Sequence, residues 1–167
     1  MAQARQAIIE RMFRPDADCE DAMALIWRLI EPHFDVLVER FLAHEAMVEL
    51  SGGVAILPDE RFRVRLHDHL RRVFVRRDPA VRFTDSPRIA VSHAAAGLPP
   101  SLYVASYYIF VTVVADELAN GFRLPPDVLM RLRRALMRAA AEDVATTLAH
   151  GETPLDPGRG HLHAGTA

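Results

Sequence analysis

The regular spacing of apolar residues, in long runs separated by prolines, constrains the fold of this chain more than any other feature. Between the prolines, apolar residues recur at intervals of three and four positions, which is the period of an α-helix with one buried face. No segment alternates apolar and polar residues as a half-buried strand would. With 167 residues, half of them apolar, the chain fits one all-α domain whose helices bury their apolar faces against one another. The run after Pro32 is typical and contains Phe34, Leu37, Val38, Phe41 and Leu42.

Capping residues and prolines predict where these helices begin and end. In the helix predicted from Pro58 to about Arg77, a helical wheel places His67 and Asp68 away from the apolar face. The residues on that apolar face are Phe62, Leu66, His69, Leu70 and Val73. The other predicted helices begin at Cys19 with Asp18 as the cap, continue after Pro32, and run from Pro87 to Ala96, from Ser101 to about Asn120, and from Pro126 onward.

Composition and charge exclude several classes of protein. The chain has 20 basic and 22 acidic side chains, which argues against a protein that coats nucleic acid or an anionic membrane surface. The longest apolar run, Leu102 to Val114, is shorter than the about 20 residues that span a bilayer, so it is predicted to be a buried core helix. Neither a signal sequence nor a membrane anchor is expected, and the predicted location is the cytoplasm. The single cysteine, Cys19, is predicted to be a small buried residue rather than a redox site.

The segment around His93 carries the strongest chemical signal in the sequence. His93 stands near the end of a short predicted helix, Gly97 stops that helix, and Tyr103 and Tyr107 lie one turn apart on the helix that follows. A lone histidine is more often structural. At a helix end beside a crevice between apolar helices, however, it can hold a haem iron through one ring nitrogen. The other ring nitrogen then needs an acceptor that orients the imidazole.

Residues 88–107, RIAVSHAAAGLPPSLYVASY, resemble the proximal helix and the following turn of globin-coupled sensors. The family pattern there is approximately R-I-G/A-x-x-H-x-R-I-G-L-x-P-x-W/L-Y-x-x-x-Y/F. This chain departs from the pattern at Ala95, Ala96 and Leu102, where the family often has Arg, Ile and Trp. The residues that match it are Arg88, Ile89, His93, Gly97, Leu98, Pro100, Tyr103 and Tyr107.

Two upstream stretches extend the resemblance to about Cys19–His150. Residues 37–44, LVERFLAH, are similar to a family helix of pattern L-V-D-x-F-Y-x-x-L, and residues 65–70, RLHDHL, resemble the distal helix. Leu42 stands where the family commonly has a tyrosine whose hydroxyl hydrogen-bonds the gas ligand. Losing that donor costs on the order of 1–2 kcal/mol, roughly ten-fold in O2 retention, so either another donor substitutes or the site favours CO and NO. His69 could donate to the ligand, reach a haem propionate, bind iron as a sixth ligand, or lie at the pocket rim.

The resemblance implies an all-α, globin-like fold with a haem pocket between the distal and proximal helices. The sensor globin domain is predicted at residues 18–151, after an N-terminal extension at 1–17 and before a disordered tail at 152–167. The implied cofactor is haem b (iron protoporphyrin IX), with His93 as the iron ligand. The pocket is predicted to be lined by Phe41, Leu42, Leu66, His69, Leu70, Val73, Ile89, Leu98, Tyr103 and Tyr107.

The implied function is a gas or redox sensor, not an enzyme, that reversibly binds O2, NO or CO. No output domain is expected after residue 151, so the sensor is expected to signal to a separate protein. The family's usual homodimer joins the last two helices. In this chain, Tyr103 is predicted near the proximal imidazole, where its hydroxyl could relay iron movement to the helix carrying Tyr107, or its ring could only pack against haem. The small residues expected to permit close approach in the dimer are Ala135, Ala139, Ala140 and Ala141.

Other functions remain open at this point. His67-Asp68, with His44 and Asp116, resembles the H…HD…D metal set of all-helical phosphohydrolases, although the wheel places His67 and Asp68 away from the core where a metal would lie. A globin-like fold without haem that serves as an interaction module is a second alternative, and the presence of His93 and Tyr103 argues against it. Haem-dependent NO dioxygenation or peroxidation needs only an open iron site.

Overall fold

A computed structural model of the protein describes residues 7–8, 11–12, 16–50, 52, 60–75 and 99–151, and within these ranges there are helices and no strand. A 3-10 turn at Glu31–His33, which contains Pro32, joins the first two long helices where the proline was predicted to interrupt them. The short helix predicted at 87–96 and the tail predicted at 152–167 lie outside the described residues. The helices are α1 (Ala17–Ile30), α2 (Phe34–Leu42), α3 (Glu45–Leu50), α4 (Glu60–Val75), α5 (Pro100–Asn120) and α6 (Pro126–Gly151).

The start of α1 is set by a carboxylate cap. Asp16 Oδ1 accepts the backbone N–H of Cys19 at 2.8 Å, which satisfies one of the free donors at the helix start. The predicted cap, Asp18, is therefore wrong by two residues. Asp18 lies in the first turn, where a negative charge favours the helix dipole, and its Oδ1 accepts a hydrogen bond from Arg131 of α6 at 3.0 Å.

One core joins buried side chains from all six of these helices. Helix α1 packs against α4 and α6, while α5 packs against α6 and α2. Full burial of one large apolar side chain stabilises the fold by roughly 1.5–3 kcal/mol. Cys19 is buried, as predicted, and the ring of Trp27 lies 6.4 Å from that of Phe74. The largest fully buried side chains are Met23, Ile26, Ile30, Leu37, Val38, Leu70, Val114, Leu118, Leu132 and Leu136.

Helix α5 is the most apolar element. By length and composition alone its 21 residues could cross a membrane, which is weak evidence because the core helix of a globular protein passes the same test. Its buried side chains join the common core, in agreement with the predicted core helix. At its end, a Cβ on Gly121 would lie 2.9 Å from the backbone oxygen of Glu117, so a larger residue would force a shift. The buried residues of α5 are Ile109, Phe110, Val111, Val113, Val114 and Leu118.

The apolar face predicted for α4 is confirmed, but the prediction for His67 is wrong. Leu70 and Val73 are buried. The His67 ring, instead of facing water, lies 5.0 Å from the rings of both Trp27 and Phe34. A wheel describes one helix in isolation, whereas here α1 and the start of α2 also cover the side of α4 that carries His67.

Most of the α6 alanines predicted at the dimer interface pack against helices of the same chain. Ala135, Ala139 and Ala140 are buried and only Ala141 is exposed. Three of the four residues expected at a dimer interface therefore let α6 approach its own neighbours, α1 and α5.

Candidate functional site

The described half of the predicted pocket is an apolar wall built from α2, α4 and α5. The α2 residues have the required spacing because Leu37, Val38, Phe41 and Leu42 fall on one helical face. Phe41 meets Phe110 of α5 edge to face, with ring centroids 5.6 Å apart. The predicted lining residues buried in this continuous cluster are Phe41, Leu42, Leu70 and Val73, and those packed against it are Leu66 and Tyr107. These six residues therefore belong to the common apolar core, and their role in lining a haem pocket stays a prediction.

Three predicted site residues lie outside the described residues. They are His93, Ile89 and Leu98. The iron ligand and two of the lining residues therefore stay predictions.

A buried carboxylate, Asp143 of α6, organises the polar part of the site. Its Oδ2 lies 3.1 Å from His69 Nε2 and accepts a hydrogen bond from the Tyr103 hydroxyl at 3.0 Å. The Tyr103 oxygen also lies 3.4 Å from Thr147 Oγ1. The His69 and Asp143 side chains are only 16% and 9% exposed. One carboxylate thus ties α4, α5 and α6 together.

The two tyrosines of this cluster are held in their neutral form. Burial raises the pKa of Tyr103 well above its usual range, and the negative charge of Asp143 raises it further. Burial likewise raises the pKa of Tyr107, with Asp143 as the next cause. Their rings lie 5.8 Å apart in an edge-to-face arrangement. Both hydroxyls therefore keep their protons throughout the ordinary pH range, and that of Tyr103 donates to Asp143.

Asp143 and Thr147 were missed by the sequence reasoning. The signal was present, because both residues continue the buried stripe of α6 that includes Leu136 and Ala140. A carboxylate on the buried face of a helix requires hydrogen-bond partners. The partners could not be named from the sequence, since His69 and Tyr103 are 74 and 40 residues away.

The side chains present fit a haem group. A porphyrin needs a broad apolar surface, and its iron is commonly held by an imidazole. The buried aliphatic and aromatic residues of α2 and α4 supply the apolar surface, and Leu42 places an aliphatic side chain there instead of a hydroxyl. The fit rests on the apolar surface of the described residues, and the imidazole of His93 lies outside them.

The metal set of the phosphohydrolase alternative is not assembled. His44 Nδ1 accepts the backbone N–H of Ala46 at the start of α3, and His67 lies between aromatic rings. Across the described part of the chain, no three His, Cys, Asp or Glu side chains are grouped so that they could hold a metal ion. The alternative gains no support from the structure.

The described helices share one apolar core, and α4, α5 and α6 meet at the cluster of His69, Tyr103 and Asp143, which is the architecture of a small all-α domain of the kind that builds cofactor sites between its helices. The family model described as Protoglobin matches residues 4–150. The chain belongs to the protoglobin family, so its all-α fold is globin-like, as predicted, and is consistent with a sensor-type globin domain. Membership makes it a globin-type domain that binds haem and a gas. No curated protein matches the chain.

Proposed function

We propose that this protein is a haem b globin that binds O2, NO or CO reversibly and reports gas occupancy to a partner protein. The observation that carries the proposal is the family match over residues 4–150. His93 would hold the iron, because it occupies the histidine position of the segment that resembles the proximal helix. Haem, when bound, would supply the iron to which the gas attaches.

The other residues have supporting roles in this proposal. Phe41, Leu42, Leu70 and Val73 form an apolar wall that excludes water from the gas, with Ile89 and Leu98 as proposed lining on the proximal side. Exclusion of water protects a reduced iron site from side reactions. A globin family generally binds ligands rather than turning over substrates, which supports a role other than that of an enzyme.

The His93→Ala variant tests the iron ligand. We expect it to lose most of its haem during purification and to recover binding when imidazole is supplied in solution, because the small molecule replaces the missing ring. His33→Ala is the matched control, since His33 is exposed on the 3-10 turn. Haem content and the visible spectrum of both variants are the measurements. A wild-type spectrum and haem content in His93→Ala would remove His93 from the role.

Signalling is proposed to pass through a homodimer formed by α5 and α6 in the cytoplasm, and from it to a separate signalling protein. Support comes from the large apolar side chains that these two helices expose. Isolated apolar residues on a surface are ordinary, and a homodimer through α5 and α6 would cover those among them that form one patch. These residues are Val104, Tyr108, Met130 and Met137.

A further inference from the structure

The contact between Asp143 and His69 requires a proton on Nε2 of the histidine. A carboxylate only accepts hydrogen bonds, so His69 Nε2, 3.1 Å from Asp143 Oδ2, must donate its N–H. In a neutral imidazole the other nitrogen, Nδ1, is then a bare acceptor. The only N–H of neutral His69 therefore points at the protein's own carboxylate.

Breaking the hydrogen bond between His69 and Asp143 is energetically costly. The Asp143 side chain is 9% exposed, and a buried carboxylate that loses a donor is not compensated by water. Tyr103 donates to the same oxygen, so Asp143 is fixed from α5 while it holds His69 on α4. For His69 to donate to a ligand, it would have to abandon a charge-assisted hydrogen bond, which is stronger than a bond to a neutral acceptor.

The other hydrogen-bond donor expected near the gas, a tyrosine hydroxyl, is absent because that position is Leu42. Leu42 is buried in the apolar wall and has no hydroxyl. Of the three gases, O2 becomes the most negatively polarised in a haem site and gains most from a nearby N–H or O–H group. Neither Leu42 nor a His69 held by Asp143 offers such a group.

We propose that Asp143 is a specificity-determining residue that withholds His69 from the gas, so that the site retains O2 poorly relative to CO and NO. The inference rests on the proposed haem and gas-binding function. Asp143 acts through His69 and is a positioning residue.

The kinetic test compares dissociation of O2 and CO by stopped-flow in haem-loaded variants. Asp143→Ala should slow O2 dissociation about ten-fold, the effect of one added hydrogen bond, and leave CO dissociation within about two-fold. Adding His69→Leu to Asp143→Ala should abolish the slowing. The matched control is Glu142→Ala, which removes the neighbouring carboxylate of α6 and should keep the wild-type rates. Equal O2 rates in Asp143→Ala and Glu142→Ala would overturn the proposal, as would faster O2 dissociation in His69→Leu alone.

A nuclear magnetic resonance measurement keeps the test independent of how well Asp143→Ala folds. In the wild-type protein, reduced and saturated with CO, the ring signals of His69 should report the neutral form protonated at Nε2, with the assignment taken from their loss in His69→Leu. A ring that carries a proton on Nδ1, alone or together with Nε2, would overturn the proposal, because Nδ1 could then donate to the gas. A protein without any CO-dependent spectral change would instead refute the proposed function itself, which separates the two failures.

Discussion

Replacing Tyr103 by Phe should destabilise the fold by removing one hydroxyl and little else. The Tyr103 hydroxyl donates to the buried carboxylate of Asp143 at 3.0 Å. A hydrogen bond to a charged group contributes about 1.5–3 kcal/mol. Asp143 keeps its contact with His69 at 3.1 Å, so the loss should fall in the lower half of that range, at about 2 kcal/mol. Total stabilities of domains are only about 5–15 kcal/mol, so this loss is readily measured.

Urea unfolding followed by circular dichroism near pH 7.5 is the assay for Tyr103→Phe. With a denaturant slope of roughly 2 kcal/mol per molar, the midpoint should fall by about 1 M. Ser101→Ala is the control, because Ser101 is exposed in the first turn of α5 and loss of its hydroxyl should leave the midpoint unchanged. If Tyr103→Phe unfolded at the same midpoint as Ser101→Ala, the Tyr103 hydroxyl would not be held by Asp143 as described.

Three further outcomes are expected. Burial raises the pKa of Tyr103 and Tyr107, so above about pH 10 these groups deprotonate in the unfolded chain before they do in the folded protein. Their contribution to the free energy of unfolding is therefore complete below about pH 10 and falls above it by about 1.4 kcal/mol per pH unit for each group. Urea midpoints across this range should fall less steeply in Tyr103→Phe, and equal slopes would contradict the argument. Leu42→Tyr should slow O2 dissociation about ten-fold by adding a donor, and an unchanged stopped-flow rate would show that Leu42 does not face the gas. Met137→Glu should convert the proposed dimer to a monomer in sedimentation velocity, and an unchanged dimer would exclude this face of α6.

The apolar faces were predictable because they depend on local spacing. Leu70 and Val73 fall on one side of α4 in any helix with this sequence, and both are buried. The start of α1 was missed by two residues because Asp16 and Asp18 are equally able to cap, and only the backbone geometry selects Asp16. A local pattern therefore gives the element and its inward side, but not its first residue.

Contacts between distant parts of the chain could not be predicted in the same way. The position of His67 depends on Trp27 and Phe34, which come from other helices. The cluster around Asp143 joins α4, α5 and α6 through residues with no common periodicity in the sequence. Sequence patterns located His69 on the inward face of α4. Its hydrogen-bond partner, Asp143, could be identified only from the way the three helices pack.

The visible absorption spectrum of the purified protein, oxidised, reduced and saturated with CO, shows directly whether the protein binds haem and a gas. A haem globin should show an intense Soret band that shifts on reduction and shifts again with CO, and it should contain one haem per chain. If the protein showed no Soret band, even after incubation with free haem, it would not be a haem globin.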